Sequence, residues 1–179
     1  KYQPVSNRAE GKVRIGWSGS HHTNIYALPL LKPIMNELSS KIDFEFIIIS
    51  NKNPEIKWKN VESRFVKWTA EKEVEGLQLI DIGLMPLADN EFERGKCSLK
   101  ALQYMAIGVP ALVSPVGVNS IIVDDGYNGF HCPDNKSFIN NILKLANNEN
   151  LRAELGLNAR NSILTKHSIN VMSNKYINI

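Results

Sequence analysis

Apolar and polar positions along the chain follow two different periods. Short apolar runs at 13–17, 44–49, 61–66, 81–85, 111–114 and 130–132 predict β-strands. Between them lie helical patterns at 26–38, 71–78, 98–107, 118–123, 136–146 and 149–165, with a last helix from Ser168. Strands that alternate with helices form βαβ units, and such units predict an α/β fold with a parallel sheet and helices on both faces.

The carboxyl ends of the strands are where ligands of such sheets bind. Four loops are expected to lie at that edge, namely 17–24, 67–71, 86–98 and 114–119. Binding residues are therefore expected in these four loops.

Composition narrows the class of protein. The chain has 179 residues, of which 43% are hydrophobic and 22% are charged, as in one ordinary globular domain. No apolar run approaches the roughly 20 residues that span a bilayer. The segment 1–12 has no apolar stretch typical of a secretory signal. We therefore expect a cytoplasmic protein, or a piece of a longer chain.

Charge and cysteine content add little specific chemistry. The net charge of +3 is too small to indicate nucleic-acid binding, although it allows a local basic pocket for an anion. Cys97 and Cys132 follow neither a metal-site nor a redox spacing. Both are predicted to be free thiols in a reducing compartment.

The first loop is small and polar at 16–20. It lacks the full dinucleotide fingerprint and the second glycine of a nucleophile elbow. Small residues let backbone N–H groups approach a phosphate, with the partial positive charge of a helix behind them. A tight turn without a ligand fits equally well. His21 and His22 follow, but adjacent histidines on an extended loop point apart, and no metal site is predicted.

The loop 92–98 carries the strongest chemical signal. Arg94, Lys96 and Lys100 cluster at and just inside a predicted helix start, and Gly95 is expected to give backbone freedom. Cations disfavour a helix N-terminus, so their presence there indicates a bound anion. The alternative is a solvated basic turn.

Three further features of the sequence bear on catalysis and ligand binding. Cys97 lies at a helix start that lowers a thiol pKa, but no histidine is paired with it. Trp68 ends the third strand, where it either stacks on a base or caps the core, with the core slightly favoured. No Asp-x-Asp pair occurs in the sequence, so no carboxylate clamp for a metal–diphosphate complex is predicted.

The run GKCSLKALQYMAIGVP at 95–110, followed by 114–119, resembles the nucleotide-sugar-binding half of group 1 glycosyltransferases, which are retaining enzymes of the GT-B fold. Shorter matches at 15–20, 81–87 and 125–130 occur in the same order. The resemblance covers residue 13 to about 165. It implies a Rossmann-like C-terminal domain at 13–179, with 1–12 as a disordered or linker lead-in and the N-terminal acceptor domain absent.

The family carries two glutamates separated by seven residues, which fall here on Gly95 and Gln103. The second glutamate normally holds the ribose hydroxyls, and a Gln amide can still form hydrogen bonds there without charge. The first lies beside the donor sugar, where Glu91 or Glu93 is a candidate to replace it.

The family resemblance and the electrostatics of a helix start together imply which residues stabilise the leaving group and which bind the donor. Backbone N–H groups at the helix start, with two lysines, should stabilise the departing nucleoside diphosphate without a metal. The catalytic set is Lys96, Lys100 and Glu93, and the donor-binding set is Ser18, Gly19, Ser20, Trp68, Gly95, Cys97, Ser98, Leu99 and Gln103.

The resulting function is transfer from a UDP-sugar or GDP-sugar to a carbohydrate or lipid-linked acceptor, in cell-surface polysaccharide or lipopolysaccharide synthesis. The acceptor would be reached through the missing domain, which would also give the full-length enzyme a peripheral inner-membrane association. The chain alone is expected to be inactive. A non-catalytic nucleotide-sugar-binding or scaffolding domain and a GT-B-type sugar-nucleotide epimerase remain as alternatives.

Overall fold

A computed structural model describes residues 1–4 and 11–177. Its centre is a sheet of six strands in the order β3-β2-β1-β4-β5-β6, in which every neighbouring pair is parallel. The strands are β1 Val13–Ser18, β2 Phe44–Ser50, β3 Glu62–Lys67, β4 Ile82–Met85, β5 Ala111–Val113 and β6 Gly129–His131. The predicted Rossmann-like α/β fold is confirmed.

Helices connect the strands and close the chain. They are α1 His21–Leu38, α2 Glu73–Leu77, α3 Glu91–Arg94, α4 Leu99–Ala106, α5 Asn119–Ile122, α6 Asn135–Ala146, α7 Glu149–Ser162 and α8 Ile169–Ile177. A π-helical turn, Ile163–His167, separates α7 from α8. Within the described ranges, no helix combines the length and the apolar character that crossing a membrane requires.

Two hydrophobic cores lie on opposite faces of the sheet. Phe46 and Ile48 of β2 belong to the core beneath α1 and α6, whereas Ile47 and Ile49 belong to the core beneath α4. Successive strand residues point to opposite faces, so an unbroken apolar run buries both sides at once. This is why β2 is apolar throughout most of its length rather than alternating.

The strand order reverses between β1 and β4, which makes the carboxyl end of β1 the topological switch point. Two glycines let side chains from the neighbouring layer pack closely against β1 and β4 here. A Cβ on Gly16 would lie 2.3 Å from the side chain of Ile80, and one on Gly83 would lie 2.4 Å from the ring of Tyr104. Ile80 and Tyr104 therefore cover β1 and β4 closely next to the switch point.

Several predicted boundaries were wrong for local reasons. α1 begins at His21 rather than near residue 26, because the Ser20 side chain caps it by accepting the Thr23 N–H. The polar loop 86–98 contains the short helix α3, which Asn90 caps. The helix predicted at 149–165 gives way to the π-helical turn after Ser162. Of the predicted lead-in at 1–12, residues 5–10 lie outside the described residues.

Candidate functional site

A cleft of about 280 Å³ opens at the carboxyl ends of the central strands. We call it the main cleft. Residues from four connections line it: Ser18, Gly19 and Ser20 before α1, Asn51 after β2, Trp68 and Glu73 after β3, and Leu99, Lys100 and Gln103 of α4. Seven of the twelve residues predicted for the site therefore come together in it.

The turn between β1 and α1 is tied to its neighbours. The Ser18 N–H donates to the Tyr104 hydroxyl at 2.8 Å, and the Gly19 N–H donates to the Ile49 carbonyl at 3.0 Å. These two groups are thus unavailable to a phosphate, contrary to the predicted cradle. The N–H groups of Ser20 and His22 donate to no other group among the described residues. Of the three predicted residues only Ser20 still offers its N–H among the described residues, and His22 at the start of α1 offers another.

The start of α4 is held by a left-handed residue and a side-chain bridge. Ser98 has a φ of 58° and is fully buried. Its hydroxyl donates to Asn119 Oδ1 at 2.7 Å, and the Asn119 amide donates to the Ser114 carbonyl at 3.0 Å. The loop 114–119 therefore holds the start of α4 in place through these two hydrogen bonds.

Backbone donors remain free at this helix start. The N–H groups of Cys97, Ser98 and Leu99 donate no hydrogen bond to any other described residue. The first N–H groups of a helix have no partner within it, and together they carry a partial positive charge. The predicted donor groups are thus present at the entrance of α4.

Lys100 is the cation of the main cleft. Its ammonium lies 4.9 Å from the centroid of the Trp17 ring, and within the described ranges no carboxylate pairs with it. Burial, together with the nearby charge of Lys96, lowers the pKa of Lys100. A half-buried cation without a counter-ion is an arrangement that an anion stabilises.

Lys96 is electrostatically different from Lys100. Its ammonium lies 2.5 Å from Oε2 of Glu93, a residue that is only 5% exposed. Both side chains line a neighbouring cavity of about 100 Å³, which we call the side pocket and which also contacts Trp17. The two lysines that were predicted to act together therefore lie in different cavities. Lys100 lines the main cleft, and the Lys96–Glu93 pair lines the side pocket.

Three predicted binding residues, Gly95, Cys97 and Ser98, line neither the main cleft nor the side pocket. Gly95 ends α3 with a φ of −78°, which any residue adopts, and an added Cβ would come no closer than 3.5 Å to its surroundings. The expected need for glycine freedom is wrong at this position. Cys97 and Ser98 can contribute through their backbone N–H groups.

A cluster of polar side chains closes the other end of the main cleft. Oε1 of Glu73 accepts hydrogen bonds from Gln103 Nε2 at 3.0 Å and from Trp68 Nε1 at 3.4 Å. Its Oε2 accepts from the Tyr2 hydroxyl and from Lys1 Nζ, both at 2.7 Å. Burial opposes ionisation of Glu73, but the hydrogen bonds from Lys1 and Tyr2 leave its pKa below the ordinary value. Trp68 is 39% exposed, so the interpretation of it as a cap on the core was wrong.

Two residues of the main cleft were missed by the sequence analysis. Asn51 follows β2 and accepts the His21 N–H at 2.7 Å, while Glu73 begins α2 beyond β3. Both lie after strands that end at the same edge of the sheet. Applying the strand-end rule to the loop after β2, and extending the 67–71 loop by two residues, would have included them.

The sequence analysis also considered metal ligands and reactive cysteines. In residues 1–4 and 11–177, no group of three or more His, Cys, Asp or Glu side chains is placed to hold a metal ion. Both cysteines are free, with Cys97 exposed and Cys132 buried.

A parallel sheet with a cleft at its topological switch point, bordered by a cation and a helix N-terminus, is common among α/β domains that bind ligands at this edge. A family model described as glycosyl transferases group 1 matches residues 12–148, and the chain belongs to this family. No curated protein sequence matches the chain.

Solved structures share the fold at low sequence identity. The C-terminal domain of the group 1 protein LpcC from Francisella tularensis is 18% identical with a TM-score of 0.69, covering 94% of this chain and 96% of that one. S. aureus TarM, in complex with fondaparinux, α-GlcNAc-glycerol and UDP, is 18% identical with a TM-score of 0.71 over 99% of this chain. Sucrose-phosphate synthase from Thermosynechococcus elongatus is 14% identical with a TM-score of 0.75, also over 99%. The chain spans 38% of the TarM chain and 49% of the synthase chain.

Proposed function

We propose that the chain binds a nucleoside-diphosphate sugar in the main cleft and acts as the donor domain of a retaining glycosyltransferase. One observation carries this proposal: the Lys100 ammonium, which no carboxylate pairs among the described residues, lies in the cleft beside N–H groups at the start of α4 that donate to no described residue. A diphosphate matches this combination, because it places two negative charges within reach of a cation and a helix N-terminus.

The other cleft residues suggest how the donor would lie. Trp68 is exposed beside Asn51 and offers an aromatic surface to the base. Gln103, which is held by Glu73, offers a hydrogen-bonding group to the ribose. The sugar would then extend beyond Lys100 towards the side pocket, where Glu93 and Lys96 lie. Glu93 is our candidate for the carboxylate beside the donor sugar.

Catalysis would be mainly electrostatic. Negative charge develops on the diphosphate as the glycosidic bond breaks, and Lys100 with the α4 N–H groups would stabilise it. Lys96 is paired with Glu93, so it would stabilise that charge more weakly and from the side pocket. The UDP bound in the TarM structure supports a uridine or related nucleotide. The acceptor would be a carbohydrate or lipid-linked molecule, as the family resemblance implies. The reaction would belong to cell-surface polysaccharide synthesis and would take place on the cytoplasmic side of the membrane.

Isothermal calorimetry tests donor binding directly. The chain should bind UDP or GDP, and it should bind the matching nucleoside monophosphate at least about tenfold more weakly because the second phosphate contacts Lys100 and the helix start. Addition of EDTA should leave the affinity unchanged. The proposal fails if neither diphosphate binds, or if the monophosphate binds equally well.

A second candidate is a binding or scaffolding domain without transferase activity. Gly95 and Gln103 stand where the family has its acidic pair, which favours this alternative. A transferase assay with the full-length enzyme, with the product anomer assigned by NMR, separates the two functions. Formation of a product with retained configuration supports the transferase, whereas donor binding without product supports the scaffold.

A further inference from the structure

Gln103 belongs to a closed ring of hydrogen bonds at the ribose end of the main cleft. Its Nε2 donates to Glu73 Oε1 at 3.0 Å and to the Tyr2 hydroxyl oxygen at 3.1 Å. The Tyr2 hydroxyl in turn donates to Glu73 Oε2 at 2.7 Å. The direction of each hydrogen bond in the ring is fixed by chemistry. The carboxylate can only accept, and the phenol donates its single proton to the carboxylate and accepts from the amide.

The ring determines which end of the Gln103 amide remains available. Both hydrogens of its NH₂ group are used by Glu73 and Tyr2, and rotation of the amide by 180° would place its carbonyl oxygen against the Glu73 carboxylate. Oε1 of Gln103 accepts no hydrogen bond from the described residues, and Gln103 lines the cleft. What this side chain can offer a ligand is therefore an acceptor.

The ionisation states that the ring needs are favoured by its surroundings. Lys1 and Tyr2 hold the Glu73 carboxylate with two hydrogen bonds at 2.7 Å, and its pKa lies below the ordinary value. Burial and the hydrogen bond to Glu73 leave the pKa of Tyr2 above the ordinary value, although the hydrogen bond from Gln103 opposes this. Glu73 is thus an acceptor and Tyr2 a donor at neutral pH.

We infer that Glu73 is a positioning residue, which with Tyr2 fixes the Gln103 carbonyl oxygen towards the cleft as the acceptor for a ribose hydroxyl of the donor nucleotide. This inference rests on the proposed function, since it assigns a role within the donor site. It explains how an uncharged Gln103 can accept a hydroxyl hydrogen bond as a glutamate would. It also predicts that the site distinguishes ribonucleotides from deoxyribonucleotides.

The test compares the affinities of UDP, 2′-deoxy-UDP and 3′-deoxy-UDP by calorimetry, or of the corresponding guanosine set if GDP binds more tightly. The wild-type chain should prefer the ribonucleotide over at least one deoxy analogue by about tenfold, the upper range for one hydrogen bond. In Glu73→Gln the Gln103 amide can turn over, and the preference should fall to about threefold or less. Tyr2→Phe removes one of the two locks and should give an intermediate value.

A polarity swap and a matched control complete the experiment. In Glu73→Gln/Gln103→Glu an amide donates to a carboxylate in the opposite direction, so an acceptor faces the ribose again and the preference should recover. Glu75→Gln makes the same charge change at an exposed position of α2, and it should leave the preference at the wild-type value. Circular dichroism checks that each variant is folded.

The outcomes separate this inference from the function on which it rests. If the wild-type chain binds a ribonucleoside diphosphate but Glu73→Gln keeps the full preference, the positioning role is wrong and donor binding stands. The same conclusion follows if the swap does not restore the preference, or if Glu75→Gln reduces it equally. If neither UDP nor GDP binds the wild-type chain, the proposed function and this inference fall together.

Discussion

The hydroxyl of Tyr104 accepts a hydrogen bond from the backbone N–H of Ser18 at 2.8 Å, joining two residues that are 86 positions apart. The same hydroxyl lies 3.4 Å from the Leu84 carbonyl, to which it can donate. Tyr104 belongs to α4 and is completely buried. One phenol thus connects α4 to the ends of β1 and β4, and it holds the backbone of Ser18, which lines the main cleft.

Tyr104→Phe should destabilise the fold. The Ser18 N–H would lose its acceptor in a buried position, which costs about 1–3 kcal/mol in the free energy of unfolding. Urea denaturation followed by circular dichroism measures this change. Tyr127→Phe is the control, because Tyr127 is exposed, and its change should stay within about 0.5 kcal/mol. Equal stability of the two variants would show that the hydrogen bond contributes little.

The sequence predicted the sheet well because the signals for its strands are local. The apolar runs that form β1, β2 and β4 are flanked by polar or turn-forming residues, and their parallel arrangement follows from the helices between them. The start of α1 was harder to predict. His21 and His22 show no helical periodicity, and the capping hydrogen bond of Ser20 that places them in the helix is visible only in three dimensions.

The candidate site was partly predictable for a related reason. Lys100 and Gln103 could be found because they lie in a continuous motif that resembles a known family. Glu73 lies two residues beyond a predicted loop, but its hydrogen bonds to Tyr2 and Gln103, which are 71 and 30 residues away, could not be read from local sequence. The separation of Lys96 from Lys100 was also invisible in sequence, since it depends on burial of the Glu93 carboxylate.

Lys100→Met should weaken diphosphate binding more than any change of a surface lysine. The substitution keeps the apolar stem over Trp17 but removes the cation, and we expect the affinity for UDP or GDP to fall by at least about tenfold. Calorimetry at two salt concentrations measures this loss, and the salt dependence should also decrease.

Lys144→Met provides a matched control for this experiment. Its ammonium also lies 4.9 Å from an aromatic ring, that of Phe130, but on α6 and away from the main cleft. This variant should bind the nucleotide with wild-type affinity. Similar losses in the two variants would indicate a general effect of charge rather than a contact with the ligand.

Binding should also depend on pH through Lys100. Because burial and Lys96 lower the pKa of Lys100, its charge is lost at a lower pH than that of an ordinary lysine. The affinity for the diphosphate should therefore fall as the pH rises through this lowered pKa. A titration of affinity in alkaline buffers measures the effect, and Lys100→Met should flatten the curve. A curve of the same shape in that variant would assign the pH dependence to another group.

The two cysteines should differ sharply in reactivity. Burial raises the pKa of the Cys132 thiol from 9.0 to about 12, although a hydrogen bond from Asn141 opposes the shift. In the unfolded chain this thiol ionises near pH 9, whereas in the folded chain it stays protonated up to about pH 12. The free energy of unfolding should therefore fall as the pH rises from about 9 towards about 12. At pH 8 a thiol reagent such as DTNB should label Cys97 in the native chain and reach Cys132 only after denaturation. Native Cys97→Ser should then remain unlabelled, and rapid labelling of that variant would contradict the burial of Cys132.

Gly117→Ala should be among the most damaging single-methyl additions in the chain. Gly117 has a φ of 56°, and an added Cβ would lie 2.4 Å from the Arg94 carbonyl oxygen. Gly126→Ala separates the two effects, because Gly126 has a φ of 75° with no atom within 4 Å of an added Cβ. Left-handed strain alone should cost about 1–2 kcal/mol in Gly126→Ala, and the clash should add about 1–3 kcal/mol in Gly117→Ala. Urea denaturation compares the two variants.

Since the clash pushes on the turn that precedes α4, Gly117→Ala should also weaken nucleotide binding, whereas Gly126→Ala should not. Equal costs in stability would mean that the loop 114–119 yields without strain and does not hold the start of α4 in place.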